Sequence, residues 1–180
     1  DMLLDRLGPQ MSWIKVIREG LDDDGIFVDE LTQVGYVSRI AMPIYQPRTF
    51  LTSAYQGTLG SGLATAIGAK IANPERQVLS INGDGGFMYN VQELATAVKY
   101  NVAVVAIVFA DGAFGNVRRM QQNLYDGRTI ASDLTNPDFI ALAESFGCAA
   151  YRAETPEELA KVLPQAFQQS GPTVIEVPFP

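Results

Sequence analysis

The run VAVVAIVF over residues 102–109 leaves this chain few folds to choose from. It is apolar at all eight positions, so neither face of a strand built from it can be given to water. Such a strand belongs in the middle of a parallel sheet, with helices packed on both sides. The rest of the chain agrees with that requirement. Short apolar runs over 25–28, 49–52, 78–82 and 173–177 read as further strands. Between them, helical patterns are expected over 10–21, 59–72, 91–100, 139–146 and 155–169. Asn136 and Pro137 suit a cap and first turn for the fourth of these. Thr155 with Glu158 has capping-box spacing for the last. Strand and helix alternate, so the expected class is α/β: three layers, a mostly parallel sheet flanked by helices.

Composition narrows the function. At 180 residues, 47% hydrophobic and 18% charged, the chain suits one compact domain over 1–180. A net charge of −7 argues against nucleic acid, whose phosphates call for a basic face. No apolar run approaches the roughly 18 residues of a membrane span. The opening DMLLDRLG lacks the basic start and apolar centre of a secretion signal, so a cytoplasmic location is expected. One cysteine, Cys148, excludes an internal disulfide and fits a reducing compartment as a small buried residue. The chain has no histidine, which excludes a Ser-His-Asp triad, a His-bound zinc and imidazole acid–base chemistry from its own residues. Carboxylates, a metal, a cofactor or another chain must supply any catalysis. The run Asp22-Asp23-Asp24-Gly25 reads as a solvated turn before it reads as a metal site.

The glycines of SINGDGGFMYN, residues 80–90, then need a reason, because glycine loses more freedom on folding than any other residue. Gly83-Asp84-Gly85-Gly86 follows one strand and precedes a helix, where open parallel sheets bind ligands. Its amides could face an anion, and Asp84 offers the hard oxygen that Mg²⁺ takes alongside phosphate oxygens. A tight turn with a capping aspartate is the slightly better reading of the tripeptide alone. The next strand exit, FADGAFGN over 109–116, shifts the balance. Adjacent parallel strands would bring Asp84 and Asp111 side by side, and two oxygen ligands make a metal site where one makes a turn. Neither a Walker loop nor GxGxxG is present at this exit.

GDGGFMYNVQELATAV…VVAIVFADGAFGNVRRMQ resembles the signature of the thiamine-diphosphate-dependent superfamily of acetolactate synthase and pyruvate decarboxylase. The resemblance extends upstream through TFLTSAYQGTLGSGLATAIGAKIANPERQVLSINGDG and downstream through NPDFIALAESFG, and so covers nearly the whole chain. It implies the carboxy-terminal, diphosphate-binding domain of such an enzyme, with thiamine diphosphate and Mg²⁺ as cofactors. By that resemblance Asp84 is one metal ligand, Asp111 the second and the Ala113 carbonyl a third. Here Ala110-Asp111 stands where the family usually has Asn-Asn. The extra carboxylate could tighten metal binding, loosen cofactor binding or raise its own pKa. Gly83, Gly85 and Gly86 would let phosphate oxygens reach the main chain. The loop of Leu31, Thr32 and Gln33 occupies the other diphosphate-contacting position. Gly57 matches the residue whose carbonyl holds the aminopyrimidine, and Leu59 the apolar wedge that bends the cofactor; ordinary core packing is the alternative for Leu59. Asn116, Val117 and Met120 stand where the family places substrate-facing residues, although one apolar helix face gives the same pattern. Arg118 and Arg119 are expected in solvent, with pairing to a substrate carboxylate as the alternative.

What the resemblance implies chemically is the cofactor's own work: attack on a 2-oxo acid carbonyl, loss of carbon dioxide, then protonation or addition to a second carbonyl. No residue here is assigned as a certain catalytic group. The family's catalytic glutamate lies on a separate pyrimidine-binding domain of another subunit, and nothing in these 180 residues corresponds to that domain. A larger polypeptide or a partner subunit is therefore expected, as a homodimer or homotetramer. A carboligase resembling acetolactate synthase leads. A non-ligating decarboxylase and a non-catalytic, cofactor-binding regulatory module are the alternatives.

Overall fold

The computed structural model describes residues 7–53 and 56–179; most of the DMLLDRLG opening, Ala54 and Tyr55 of AYQGTLG, and Pro180 lie outside the described residues. The strands are Ile26–Val28 (β1), Phe50–Leu51 (β2), Val78–Gly83 (β3), Val105–Ala110 (β4), Ala149–Arg152 (β5) and Thr173–Pro178 (β6). They form one sheet in the order β2-β1-β3-β4-β6-β5, and each neighbouring pair runs parallel. The helices are Gln10–Gly20 (α1), Gln33–Ala41 (α2), Ser61–Ala72 (α3), Asp84–Asn90 (α4), Glu93–Lys99 (α5), Gly115–Leu124 (α6), Phe139–Phe146 (α7) and Pro156–Phe167 (α8). The expected three-layer α/β class is what the chain adopts.

The core divides on the two faces of β4. Val105, Ile107 and Phe109 point to one layer, where Trp13 and Ile17 of α1, Val34 of α2, and Leu159 and Leu163 of α8 close over them. Val104, Ala106 and Val108 point to the other, against α3, α4, α5 and α7. Trp13 meets Phe109 edge-on at 5.7 Å between ring centroids, a favoured aromatic geometry. Covering both faces is what an all-apolar strand demands. The strand itself starts at Val105 rather than Val102, although Val102 and Val104 are buried as well. Cys148 is also buried, and burial lifts its thiol to about 11, as suits a packing residue.

Several local expectations change. The predicted helix over 59–72 starts at Ser61, because Gly60 is left-handed at φ 80° and serves as its cap. The predicted helix over 91–100 is α5, Glu93–Lys99, and a separate helix, α4, precedes it from Asp84, so the glycine cluster from Asp84 onward is helical rather than a loop. Asp138, not Asn136, caps α7, accepting from the amides of Ile140 and Ala141. Thr155 does cap α8, while Glu158 reaches back to the Glu154 amide instead of the Thr155 amide. Three elements carry no clear sequence signal: α2, α6 and β5. In α2 the side chain of Thr32 accepts from the Gly35 amide and Val34 is fully buried, so a cap and an anchor make up for weak helix formers.

The chain leaves β1 for β2 on one side and returns to β3 on the other. That reversal opens a crevice at the carboxyl ends of β1 and β3, the standard place for a ligand in a fold of this type.

Candidate functional site

The exits of β1, β3 and β4 face a cavity of about 670 Å³, within the usual size range of small-molecule sites. Both predicted diphosphate loops, Leu31-Thr32-Gln33 and Gly83 to Gly86, border it. So do Gly57 and Leu59, and the predicted metal set Asp84, Asp111 and Ala113. Asn116 and Val117 reach its rim from α6; Met120 does not, and is 49% exposed. Arg118 and Arg119 border the cavity too, and Arg119 is exposed to solvent there while Arg118 is half-buried. Arg118 pairs with Asp133 at 3.1 Å and Arg119 holds the Asn116 side-chain oxygen at 2.8 Å.

Asp84 opens α4 and is only 2% exposed. Its Oδ1 accepts from its neighbour Gly85 N–H at 2.7 Å. Its Oδ2 accepts from the Gly112 amide at 2.8 Å and from Asn136 Nδ2 at 2.7 Å. Asp111 stands beside it because Gly83 is in register with Phe109 across β3 and β4. Its Oδ1 accepts from the Ala113 amide at 3.1 Å, and Gln33 Nε2 lies 3.5 Å from its Oδ2. Burial raises the pKa of Asp111, the negative charge of Asp84 raises it further, and the Ala113 amide, Gln33 and Arg118 offset part of the shift. Of the outcomes open for an aspartate at this position, a raised pKa is therefore one that occurs. Two hard carboxylates set against each other at the mouth of a cavity form a donor set that suits a divalent cation and its phosphate ligands. Among the described residues no third acidic side chain joins them, which leaves a main-chain oxygen to complete a protein ligand set.

The glycines answer to more than a ligand. A Cβ on Gly86 would stand 1.9 Å from Glu30 Oε1, and one on Gly85 would stand 2.4 Å from the Phe114 ring. Both positions are thus closed to side chains by protein atoms before any anion is considered. Gly57 needs its glycine for another reason, a φ of +58° in the turn that presents Leu59.

Sequence reasoning missed three residues of the site. Asn136, read as a helix cap, instead reaches across to Asp84. Glu30, at the exit of β1, is 1% exposed, and Asn82 near the end of β3 is fully buried. A signal for Asn82 was available, since Ser80 and Asn82 are polar residues two apart in an otherwise apolar strand, on one face.

Comparison with known proteins now adds to the geometry. Residues 32–177 match the family described as "Thiamine pyrophosphate enzyme, C-terminal TPP binding domain". The chain is 37% identical over 179 residues to acetolactate synthase of Bacillus subtilis, covering 99% of this chain and 31% of that protein. It is 42% identical over 133 residues to the acetolactate synthase large subunit of Parasynechococcus marenigrum, covering 73% of this chain and 22% of that one. Among solved structures, the thiamine diphosphate-dependent 4-hydroxybenzoylformate decarboxylase of Rhodococcus jostii superposes with a TM-score of 0.86 at 32% identity, over 95% of this chain and 32% of that chain. The chain thus spans about a third or less of the length of these relatives.

Proposed function

Because this chain belongs to the thiamine pyrophosphate enzymes and carries their C-terminal TPP-binding domain, we propose that it holds the diphosphate and Mg²⁺ end of the cofactor in an enzyme acting on 2-oxo acids. The reading rests on one observation: Asp84 and Asp111 sit at the tips of neighbouring parallel strands, on one cavity, with charges that disfavour each other. A bound cation removes that conflict. Asp84 and Asp111 would ligate it with the Ala113 carbonyl, while Gly83, Gly85 and Gly86 and the loop of Leu31, Thr32 and Gln33 keep the diphosphate close to main chain. Gly57 and Leu59 would receive the rings, with Leu59 enforcing the bent shape. When bound, thiamine diphosphate supplies the nucleophilic carbon and electron sink for breaking the bond to a 2-oxo acid's carboxylate. This chain's part is to orient the cofactor, to hold Asp84 still through Gly85, Gly112 and Asn136, and to keep water from the cavity floor. Asn116 and Val117, at the rim, are the substrate-facing residues proposed.

The complete protein is proposed to bring a pyrimidine-binding domain or subunit to the open side of the cavity, in a homodimer or homotetramer. The cytoplasm is its proposed location; among the described residues no helix is long and apolar enough to cross a membrane. Carboligation is favoured by the acetolactate synthases among its relatives, and simple decarboxylation by the 4-hydroxybenzoylformate decarboxylase. Acetolactate against acetaldehyde from pyruvate separates the two.

Titration calorimetry of the full natural protein tests the site. Thiamine diphosphate is expected to bind in a Mg²⁺-dependent manner, and Asp84→Ala to abolish that dependence. Asp111→Asn, with one charge fewer beside the diphosphate, is expected to bind with a weaker requirement for Mg²⁺. Binding indifferent both to Mg²⁺ and to Asp84→Ala removes the assignment.

A further inference from the structure

Behind the cavity floor lies a polar cluster that the proposed cofactor contacts leave unused. Glu30 and Asn82 are both buried, at 1% and 0% exposure. Val28 is in register with Ser80, so continuing the parallel pairing by two residues brings Glu30 beside Asn82 on the same face. The distances agree. Asn82 Oδ1 and Glu30 Oε2 lie 2.5 Å and 2.9 Å from the point where a Cβ on Gly62 would stand. Neither oxygen has a partner in good hydrogen-bond geometry, although the Gly62 amide lies near enough to the carboxyl to offset part of the effect of its burial. Rotating the amide cannot resolve this, because Asn82 Nδ2 already donates to Ser80 Oγ at 3.0 Å and to the Ile107 carbonyl at 3.2 Å. Two unpartnered acceptors bordering one buried space are relieved by a proton between them, and of the two only the carboxyl can carry it.

We propose that Glu30 is a positioning residue that works as a neutral carboxylic acid: its O–H donates to Asn82 Oδ1 while its other oxygen accepts from the Gly60 amide, clipping together the two halves of the cofactor site. Gly60 closes the turn that carries Gly57 and Leu59, and Asn82 leads directly into Gly83 and Asp84. Gly86 is bare because the same carboxyl fills its side-chain space. The clip therefore joins the turn that would bend the cofactor to the helix that would hold its diphosphate. That functional meaning rests on the proposed function; the protonation itself does not.

The charged surroundings favour the neutral form. Burial lifts the carboxyl from 4.5 to about 7, the amides of Gly60 and Gly62 offset part of this, and the charge of Asp29 adds to it. Asp29 is itself paired with Arg39. Gly35 of α2, Gly60 and Gly62 at α3, Gly86 of α4 and Asn82 of β3 also border Glu30 and carry no charge, and Asp29 is the charge that acts on it. A carboxyl whose folded pKa is raised adds stability that is complete below about 4.5 and is lost as pH rises to about 7.

The test compares the full natural protein with Glu30→Gln, which keeps an acceptor for Gly60 and an N–H donor for Asn82 without a titrating proton. Infrared difference spectra of the metal-free protein, wild type minus Glu30→Gln, should show the carbonyl stretch of a protonated carboxylic acid at pH 6 that fades by pH 8 (both pH values about one unit from the expected midpoint). Melting temperature and the affinity for thiamine diphosphate with Mg²⁺ should both fall over that interval in wild type, and the extra fall should be missing in Glu30→Gln. Glu30→Ala should lose roughly tenfold or more in cofactor affinity at both pH values. A carboxylate signature at pH 6, or an unchanged pH slope in Glu30→Gln, overturns the proposal even if Glu30→Ala fails to fold. Wild type that shows the protonated acid but binds no thiamine diphosphate would instead count against the cofactor reading and uphold the proton.

Discussion

At the scale of single residues, Glu30 and its glycines show why small side chains collect around this cavity. Gly60, Gly62 and Gly86 surround one carboxyl, and each would place a Cβ in contact at 3.3 Å or less with protein atoms. Gly68, on the exposed side of the same α3, meets nothing within 4 Å. The two kinds of glycine should therefore respond oppositely to a methyl group. Gly86→Ala drives a Cβ into a buried carboxyl that cannot swing away, and should destabilise by about 2–4 kcal/mol in chemical denaturation. Gly68→Ala, in an exposed helix interior, should stabilise by about 0.5–1 kcal/mol. Equal effects would mean that α3 and α4 are not packed on Glu30. In sequence the two glycines look alike, because composition records the missing side chain and not the neighbour that forbids it.

At the scale of elements, the segment entering α7 does two jobs that its residues divide between them. Asp138 satisfies two free amides at the helix start, while Asn136, two residues earlier, ties the segment to Asp84. Asp138→Ala should cost about 1 kcal/mol of stability and leave Mg²⁺-dependent cofactor affinity unchanged. Asn136→Ala should do the reverse, with little change in stability but roughly tenfold weaker Mg²⁺-dependent binding, since a carboxylate positioned by fewer partners is a poorer ligand. Thermal melts and calorimetry on the two variants separate the roles. Swapped outcomes would return Asn136 to the capping role that its place before Pro137 first suggested. That misreading has a simple cause: Asn and Asp cap equally well, and only the fold decides which side chain turns toward the helix.

At the scale of the whole molecule, the two layers around the sheet are complete and α6 stands outside them. It buries no residue, exposes Val117, Met120 and Leu124, and lies along the rim of the cavity. Hydrogen exchange should find its amides fast relative to β3 and β4, and slowed when thiamine diphosphate and Mg²⁺ are added together; equal protection throughout would count against a role at the site. The sequence by itself determined the α/β class, because VAVVAIVF can be satisfied only between two helical layers. It also determined the pairing of Asp84 with Asp111, because both follow strands that neighbouring positions in a parallel sheet bring level. The tertiary structure alone decided that the glycine cluster is helical from Asp84, that Asn136 serves Asp84, and that Glu30 and Asn82 border one buried space beside Gly62. Those contacts join residues far apart in the chain, and no local preference encodes a meeting that depends on which strands end side by side.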